Sequence, residues 1–224
     1  MEQTQDQITA FYDAFYRGEG FSYYSPAVTR RVLAALCSRA RVPSGGRVLD
    51  VGCGTGFYSA AFDALGYDVT GVDISETGIA EATRRHPKLC FEVRDATALP
   101  YEDERFHLVF SLGLSLANTR DIQKVHATLR QLLRVTASDG VLAFLGGSTL
   151  RDSVSPASNW IHHSWEEIRS FPPPEATVFG GPWLSHFRLM QFLPPAISMS
   201  ASMTRIMRAL PLDFERRIIL LLKP

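Results

Sequence analysis

The chain has 224 residues, 46% hydrophobic and 21% charged, a balance that excludes collagen-like, mucin-like and largely disordered proteins. Lys and Arg number 23 and Asp and Glu number 23, so the formal net charge is zero. A protein that wraps phosphate backbone carries a basic excess, so nucleic acid is disfavoured as a partner. Cys37, Cys53 and Cys90 are odd in number and widely spaced, which argues against a disulfide framework or a zinc site and for a reducing compartment.

Residues 1–41 are expected to be helical. Ile8, Phe11, Tyr12, Phe15 and Tyr16 recur at helical spacing, Gly18, Gly20 and Pro26 interrupt, and Val32, Leu33, Leu36 and Cys37 resume the repeat. After a loop at Pro43-Ser44-Gly45-Gly46, Val48–Val51 reads as a buried strand, followed by a glycine-rich turn and a helix running to Leu65, closed by Gly66. Asp68–Val72 is a second strand ending at Asp73. Ser75 is placed to cap a helix to Arg85, which Gly78 weakens. Cys90–Val93 and Phe106–Leu112 are the third and fourth strands, Asp121–Val135 is a long amphipathic helix, and Val141–Leu145 is the fifth strand. Beyond Gly146 the pattern loosens. A short helical piece near Trp165–Arg169, a sixth strand at Phe187–Leu193, a helix within Pro194–Pro211 and a last strand at Arg217–Leu222 are expected.

Strands that alternate with helices, and are apolar throughout, predict a doubly wound, mostly parallel α/β sheet with helices on both faces. Right-handed crossovers gather the strand C-termini at one edge, where a ligand binds. The polar start MEQTQDQ does not read as a signal peptide, and no apolar run reaches the roughly 18–20 residues of a membrane helix. A cytoplasmic protein is expected, with no membrane span and no metal site.

The sharpest motif is Val48-Leu49-Asp50-Val51-Gly52-Cys53-Gly54-Thr55-Gly56-Phe57. Alternate glycines after a buried strand let the backbone approach a ligand closely and supply conformations that a Cβ disfavours. The dinucleotide pattern G-x-G-x-x-G fails in both registers, since its last glycine would fall on Phe57 or Ser59. Asp50 also sits badly beside a pyrophosphate and suits a cationic ligand end. A nicotinamide-dependent oxidoreductase is therefore an unfavoured alternative.

This stretch resembles the first motif of the class I S-adenosylmethionine (SAM)-dependent methyltransferases, D-x-G-x-G-x-G. The resemblance covers about residues 45–146 and implies a Rossmann-like, seven-stranded sheet whose last strand runs antiparallel between the fifth and sixth. It assigns Asp50, Gly52, Cys53, Gly54 and Gly56 to SAM and its product S-adenosylhomocysteine. Asp73, 21 residues after Gly52, takes the ribose hydroxyls, with Ile74 on the adenine face. Asp95 and Ala96 read the adenine edge. Ser111 and Leu112 line the methionine arm. His107 stands where the family usually has an Asp, at the strand end remote from the ligand.

Methyl transfer needs a base only when the nucleophile must lose a proton. His162 and His163, after the fifth strand, are the candidates. His86 reads as a solvated helix end, and His126 rides a helix flank. The leading helix of such proteins often closes over SAM, which makes Tyr12, Tyr16 and Tyr23 candidate cofactor contacts. The expected organisation is a helical lid at 1–44 and a SAM-binding domain at 45–224 whose segment at about 146–211 covers the substrate. The expected function is methyl transfer to an O or N atom of a small, fairly apolar acceptor by a monomer or homodimer. The alternative is a catalytically silent SAM-fold module that binds a partner.

Overall fold

The computed structural model describes residues 5–16, 25–115, 118–148, 153–154, 161–163, 167–168, 170–178, 181–183 and 216–223. Helix α1 spans Gln5–Tyr16 and α2 spans Pro26–Ala40. Pro26 starts α2 instead of only breaking the pattern. It occupies the first turn, where its missing N–H costs nothing, and the Ser25 side chain caps the Val28 N–H at 3.4 Å.

From there strands and helices alternate: β1 (Arg47–Val51), α3 (Phe57–Asp63), β2 (Asp68–Asp73), α4 (Glu76–Arg85), β3 (Cys90–Val93), β4 (Phe106–Leu112), α5 (Ile122–Arg134) and β5 (Thr136–Ser148). Helix α3 stops at Asp63, short of Leu65, and Gly66 then adopts φ 86° as its N–H closes on the Asp63 carbonyl. Ser75 caps α4 as expected, accepting from the Gly78 N–H at 3.0 Å. The remaining strands are β6 (Ser153–Val154), β7 (Ile161–His162), β8 (Thr177–Val178), β9 (Gly181–Trp183) and β10 (Arg216–Lys223).

The sheet order is β3-β2-β1-β4-β5-β10-β8, with β9 also paired to β10. Its body is five parallel strands, β3 to β5. The seven-strand expectation is therefore corrected: beyond the five parallel strands the described residues add antiparallel β10 beside β5, then β8 and β9 against β10. Those two outer pieces are only two and three residues long, too short to carry a readable hydrophobic period. The strand expected at Phe187–Leu193 and the helix expected within Pro194–Pro211 lie outside the described residues. So does most of the piece near Trp165–Arg169.

Both faces of the sheet are covered. On one, Leu49, Val109, Leu142 and Phe144 pack with Val125, Leu129 and Leu132 of α5. On the other, Val48, Leu108, Phe110 and Val141 pack with Leu33 and Leu36 of α2 and Phe62 of α3. Successive residues of β4 and β5 enter opposite clusters, as the two-residue period of a strand requires. Unbroken apolar runs are what a strand buried on both sides needs. Among the described residues no helix is long and apolar enough to cross a membrane.

Candidate functional site

The C-terminal ends of β1, β2 and β4 converge at one edge, and the glycine loop leaves β1 there. Gly52, Gly54 and Gly56 all take positive φ, at 77°, 52° and 81°. This is the left-handed region that a Cβ makes costly, so the alternate glycines are a backbone requirement. The Val72 carbonyl accepts from the Gly52 and Cys53 N–H groups at 2.8 and 3.0 Å, pinning the loop to the end of β2.

Asp73 closes the same junction. Its Oδ2 accepts from the Gly54 N–H at 2.8 Å and its Oδ1 from the Ser75 N–H at 2.9 Å, so one carboxylate joins the loop to the start of α4. Burial raises its pKa, and those backbone donors oppose the rise. A carboxylate offers about four lone-pair sites, so this role leaves acceptor capacity for a ligand hydroxyl. Asp50 is 2% exposed and accepts from Ser59 Oγ at 2.6 Å. Burial pushes its carboxyl up to about 7, the Ser59 bond pulls it down, and the Asp73 charge pushes it further up. Two buried carboxylates repel, which favours holding a proton on one of them or a cation beside them. Cys53 is buried as well, and its thiol is driven well up by burial and by both acids.

Helix α1 lies over this edge. The Tyr16 hydroxyl stands 2.6 Å from where a Cβ on Gly54 would be, and the Tyr16 ring lies 3.0 Å from the same position on Gly78. Burial first, and then Asp73, raise the Tyr16 pKa. Tyr12 stacks on Tyr16 with centroids 5.8 Å apart. Asp13, which sequence reasoning did not single out, accepts from Ser75 Oγ and from the Thr77 N–H at 3.2 Å, clasping α1 to the start of α4. Only the acid between aromatic pairs, Phe11-Tyr12-Asp13-Ala14-Phe15-Tyr16, could have hinted at it. Ser59 was missed as well, although it lies in the first turn of the motif's own helix. Tyr23 lies outside the described residues.

The other expected residues are placed less decisively. Asp95 Oδ1 accepts from the N–H and the hydroxyl of Thr97, both at 2.8 Å, so the carboxylate shapes its own turn. Ala96 is buried in the core and Ile74 is half-buried. Ser111 is fully buried and donates to the Val51 carbonyl at 3.0 Å, tying β4 to β1, and Leu112 follows at the edge. His107 sits at the opposite end, where its Nδ1 accepts from the Arg47 N–H at 2.9 Å. His86 is not a solvated end: it is half-buried against Phe91 and 3.1 Å from the position a Gly56 Cβ would take, and burial lowers its pKa. His162 pairs with Ser153 in the β6–β7 hairpin. His163 is 5% exposed, with Nδ1 3.4 Å from Glu167 Oε2 and its ring edge-on to Phe171. Among the described residues no cluster of His, Cys, Asp or Glu could hold a metal ion.

Residues 48–140 match the family model for a methyltransferase domain. Among particular proteins, the chain is 40% identical over 121 residues to a demethylmenaquinone methyltransferase of Beutenbergia cavernae, covering 54% of this chain and 47% of that one. It is 35% identical over 109 residues to a malonyl-acyl-carrier protein O-methyltransferase of Erwinia billingiae, covering 49% and 42%. The chain thus spans about half the length of the curated relatives it matches. The crystal structure of the cyclase SpnF superposes with a TM-score of 0.66 at 19% identity, over 99% of this chain and 97% of that one, a likeness of fold alone.

Proposed function

We propose that this chain is an enzyme that binds SAM at the β1–β2 edge and transfers its methyl group to an O or N atom of a small, fairly apolar acceptor. The observation that carries the reading is the junction of three positive-φ glycines with Asp73, whose carboxylate bonds both the loop and the start of α4. The residues present fit the cofactor. The loop is a cradle that side chains would fill, and buried Asp50 suits its cationic amino acid end. Asp73 has acceptor capacity for the ribose, with Ile74, Asp95 and Ala96 toward the adenine and Ser111 and Leu112 toward the methionine arm. Tyr12 and Tyr16 cover it from α1, and we extend that lid to residues 1–44, Tyr23 included, over a domain at 45–224.

When bound, SAM supplies an activated methyl group, so the protein's main task is alignment. Asp73 fixes the loop, Tyr16 and Asp13 hold α1 down, and the segment at about 146–211 covers the acceptor and excludes water. His162 and His163 are the candidates for holding a proton there.

Calorimetric titration with SAM, S-adenosylhomocysteine and NAD tests the cofactor. Micromolar binding of the first two and none of NAD is expected. A folded sample that binds neither sulfur compound refutes the reading. Partner capture without any methyl transfer would instead favour the silent module.

A further inference from the structure

We propose that Ser59 is a positioning residue of the cofactor site: through its hydroxyl Asp50, and not Asp73, is the acid that holds a proton until a cationic ligand arrives. The inference rests on the methyl-transfer reading above and deepens it.

The contact is built into the fold. Ser59 is fully buried in the first turn of α3, and its Oγ donates to Asp50 Oδ2 at 2.6 Å. Gly71 stands opposite Asp50 in the β1–β2 ladder. A Cβ on Gly71 would come within 3.0 Å of the Ser59 Oγ and 2.6 Å of the Phe91 ring. The glycine thus leaves the hydroxyl its place beside the carboxylate. Among the described residues, the groups that act on the Asp50 charge are Ser59 of α3, Asp73 of β2, Cys53 of the glycine loop and Tyr16 of α1. None of them is a cation. Burial pushes the Cys53 thiol and the Tyr16 hydroxyl well up, so only the two carboxylates of this set change charge near neutral pH.

The two acids are held by unlike donors. Asp73 accepts from the Gly54 and Ser75 N–H groups at 2.8 and 2.9 Å, one on each oxygen. A backbone N–H only donates, so a proton on either oxygen of Asp73 would be met by a donor. A serine hydroxyl rotates and has both a donor and acceptor lone pairs. Ser59 can therefore donate to an ionised Asp50 or accept from a protonated one with its oxygen in the same place. Asp73 keeps its charge, and Asp50 takes the proton that relieves the repulsion between them. Burial pushes the Asp50 carboxyl up to about 7 against the pull of the Ser59 hydroxyl. Without that donor the acid stays neutral to higher pH. A cationic ligand end favours the ionised form. As it binds, the proton passes from Asp50 to solvent and the Ser59 hydroxyl turns to hold the charge.

The test combines a spectrum with a titration. In carbon-13 carboxyl spectra of the labelled, ligand-free protein, Asp50 is identified by the signal that Asp50→Asn removes, and it is expected to titrate at about 7. Ser59→Ala is expected to raise that midpoint by about one pH unit or more, the worth of one hydrogen bond to a charged group. Ser59→Thr, which keeps the hydroxyl, is expected to stay near the wild type. Calorimetry with S-adenosylhomocysteine, which keeps the ammonium, is expected to show affinity rising with pH, and Ser59→Ala to displace the rise upward by the same amount. In the Asp50→Asn protein, Ser59→Ala is expected to displace nothing. A wild-type Asp50 that titrates in the ordinary carboxylate range, with Asp73 taking the proton instead, overturns the proposal. So does a folded Ser59→Ala protein whose Asp50 midpoint or affinity profile matches the wild type. A wild-type protein whose Asp50 titrates as expected but which binds no S-adenosylhomocysteine overturns the methyl-transfer reading instead.

Discussion

Asp50 is ionised only at a cost, because burial pushes its carboxyl up to about 7, against about 3.9 in the unfolded chain. The folded state therefore holds the proton more tightly, and stability falls as pH rises from about 4 to about 7, beyond which the deficit is constant. A cationic ligand reverses the preference for the neutral acid. SAM affinity is expected to rise between pH 6 and 8, with proton release visible as a buffer-dependent calorimetric enthalpy, and Asp50→Asn is expected to flatten both. An affinity that does not change with pH in the wild type contradicts the assignment. Asp73 is the second test. Asp73→Ala is expected to weaken SAM binding by about 1–3 kcal/mol through lost charge-assisted bonds. Since Asp73 also bonds Gly54 and Ser75, some melting temperature is expected to go with it. Unaltered affinity in a folded variant would reduce Asp73 to a structural clasp. The turn of glycines after β1 and the carboxylates Asp50 and Asp73 near their strand ends were legible in the sequence from local spacing, whereas the bond from Gly54 to Asp73, 19 residues apart, was not. Ser59 was not singled out because its role needs the carboxylate it faces.

The elements that place the site differ in how they are held. β1, β2 and β4 are locked by ladder bonds and two cores, whereas α1 reaches the site through Asp13 and its aromatic face. Asp13→Ala is expected to cost about 1 kcal/mol, the usual loss for a helix cap, and to speed amide exchange in α1 while leaving β1 and β4 protected. Equal exchange in α1 would show that the clasp does not hold it. This contact joins positions 62 residues apart, so no local pattern announces it. Gly78 is the instructive case. In the sequence it only weakens a helix. In the structure a Cβ there would stand 3.0 Å from the Tyr16 ring and 3.4 Å from the Gly54 carbonyl oxygen. The glycine admits α1, and helix propensity is given up for that approach. The same limit governs the far edge of the sheet. The five parallel strands are four residues or longer and were readable, but β8 and β9 are held by pairing to β10 and carry no period of their own.

The whole molecule joins these parts through β1, β4 and β5, whose alternate residues serve both cores. Neither face can melt without exposing the apolar side chains of the strands it shares with the other, so a single unfolding transition is expected. The proposed ligand would touch the β1 loop, the end of β2 and α1 together, and its binding energy would be added to that one transition. At one hundred times its dissociation constant, a ligand specific for the folded state stabilises it by about 2.7 kcal/mol. For a chain of this size each kcal/mol moves the midpoint by about 2–4 °C. S-adenosylhomocysteine at that excess is therefore expected to raise the melting temperature by roughly 5–10 °C, since both factors multiply. NAD at the same concentration is expected to leave it unmoved. Asp13→Ala separates the two ways α1 contributes. If α1 closes on the ligand, the variant binds more weakly and its shift at a fixed ligand concentration shrinks. If α1 only packs on the sheet, the variant starts at a lower temperature and shows the full shift. A shrunken shift with an almost unchanged starting point would identify α1 as part of the binding site.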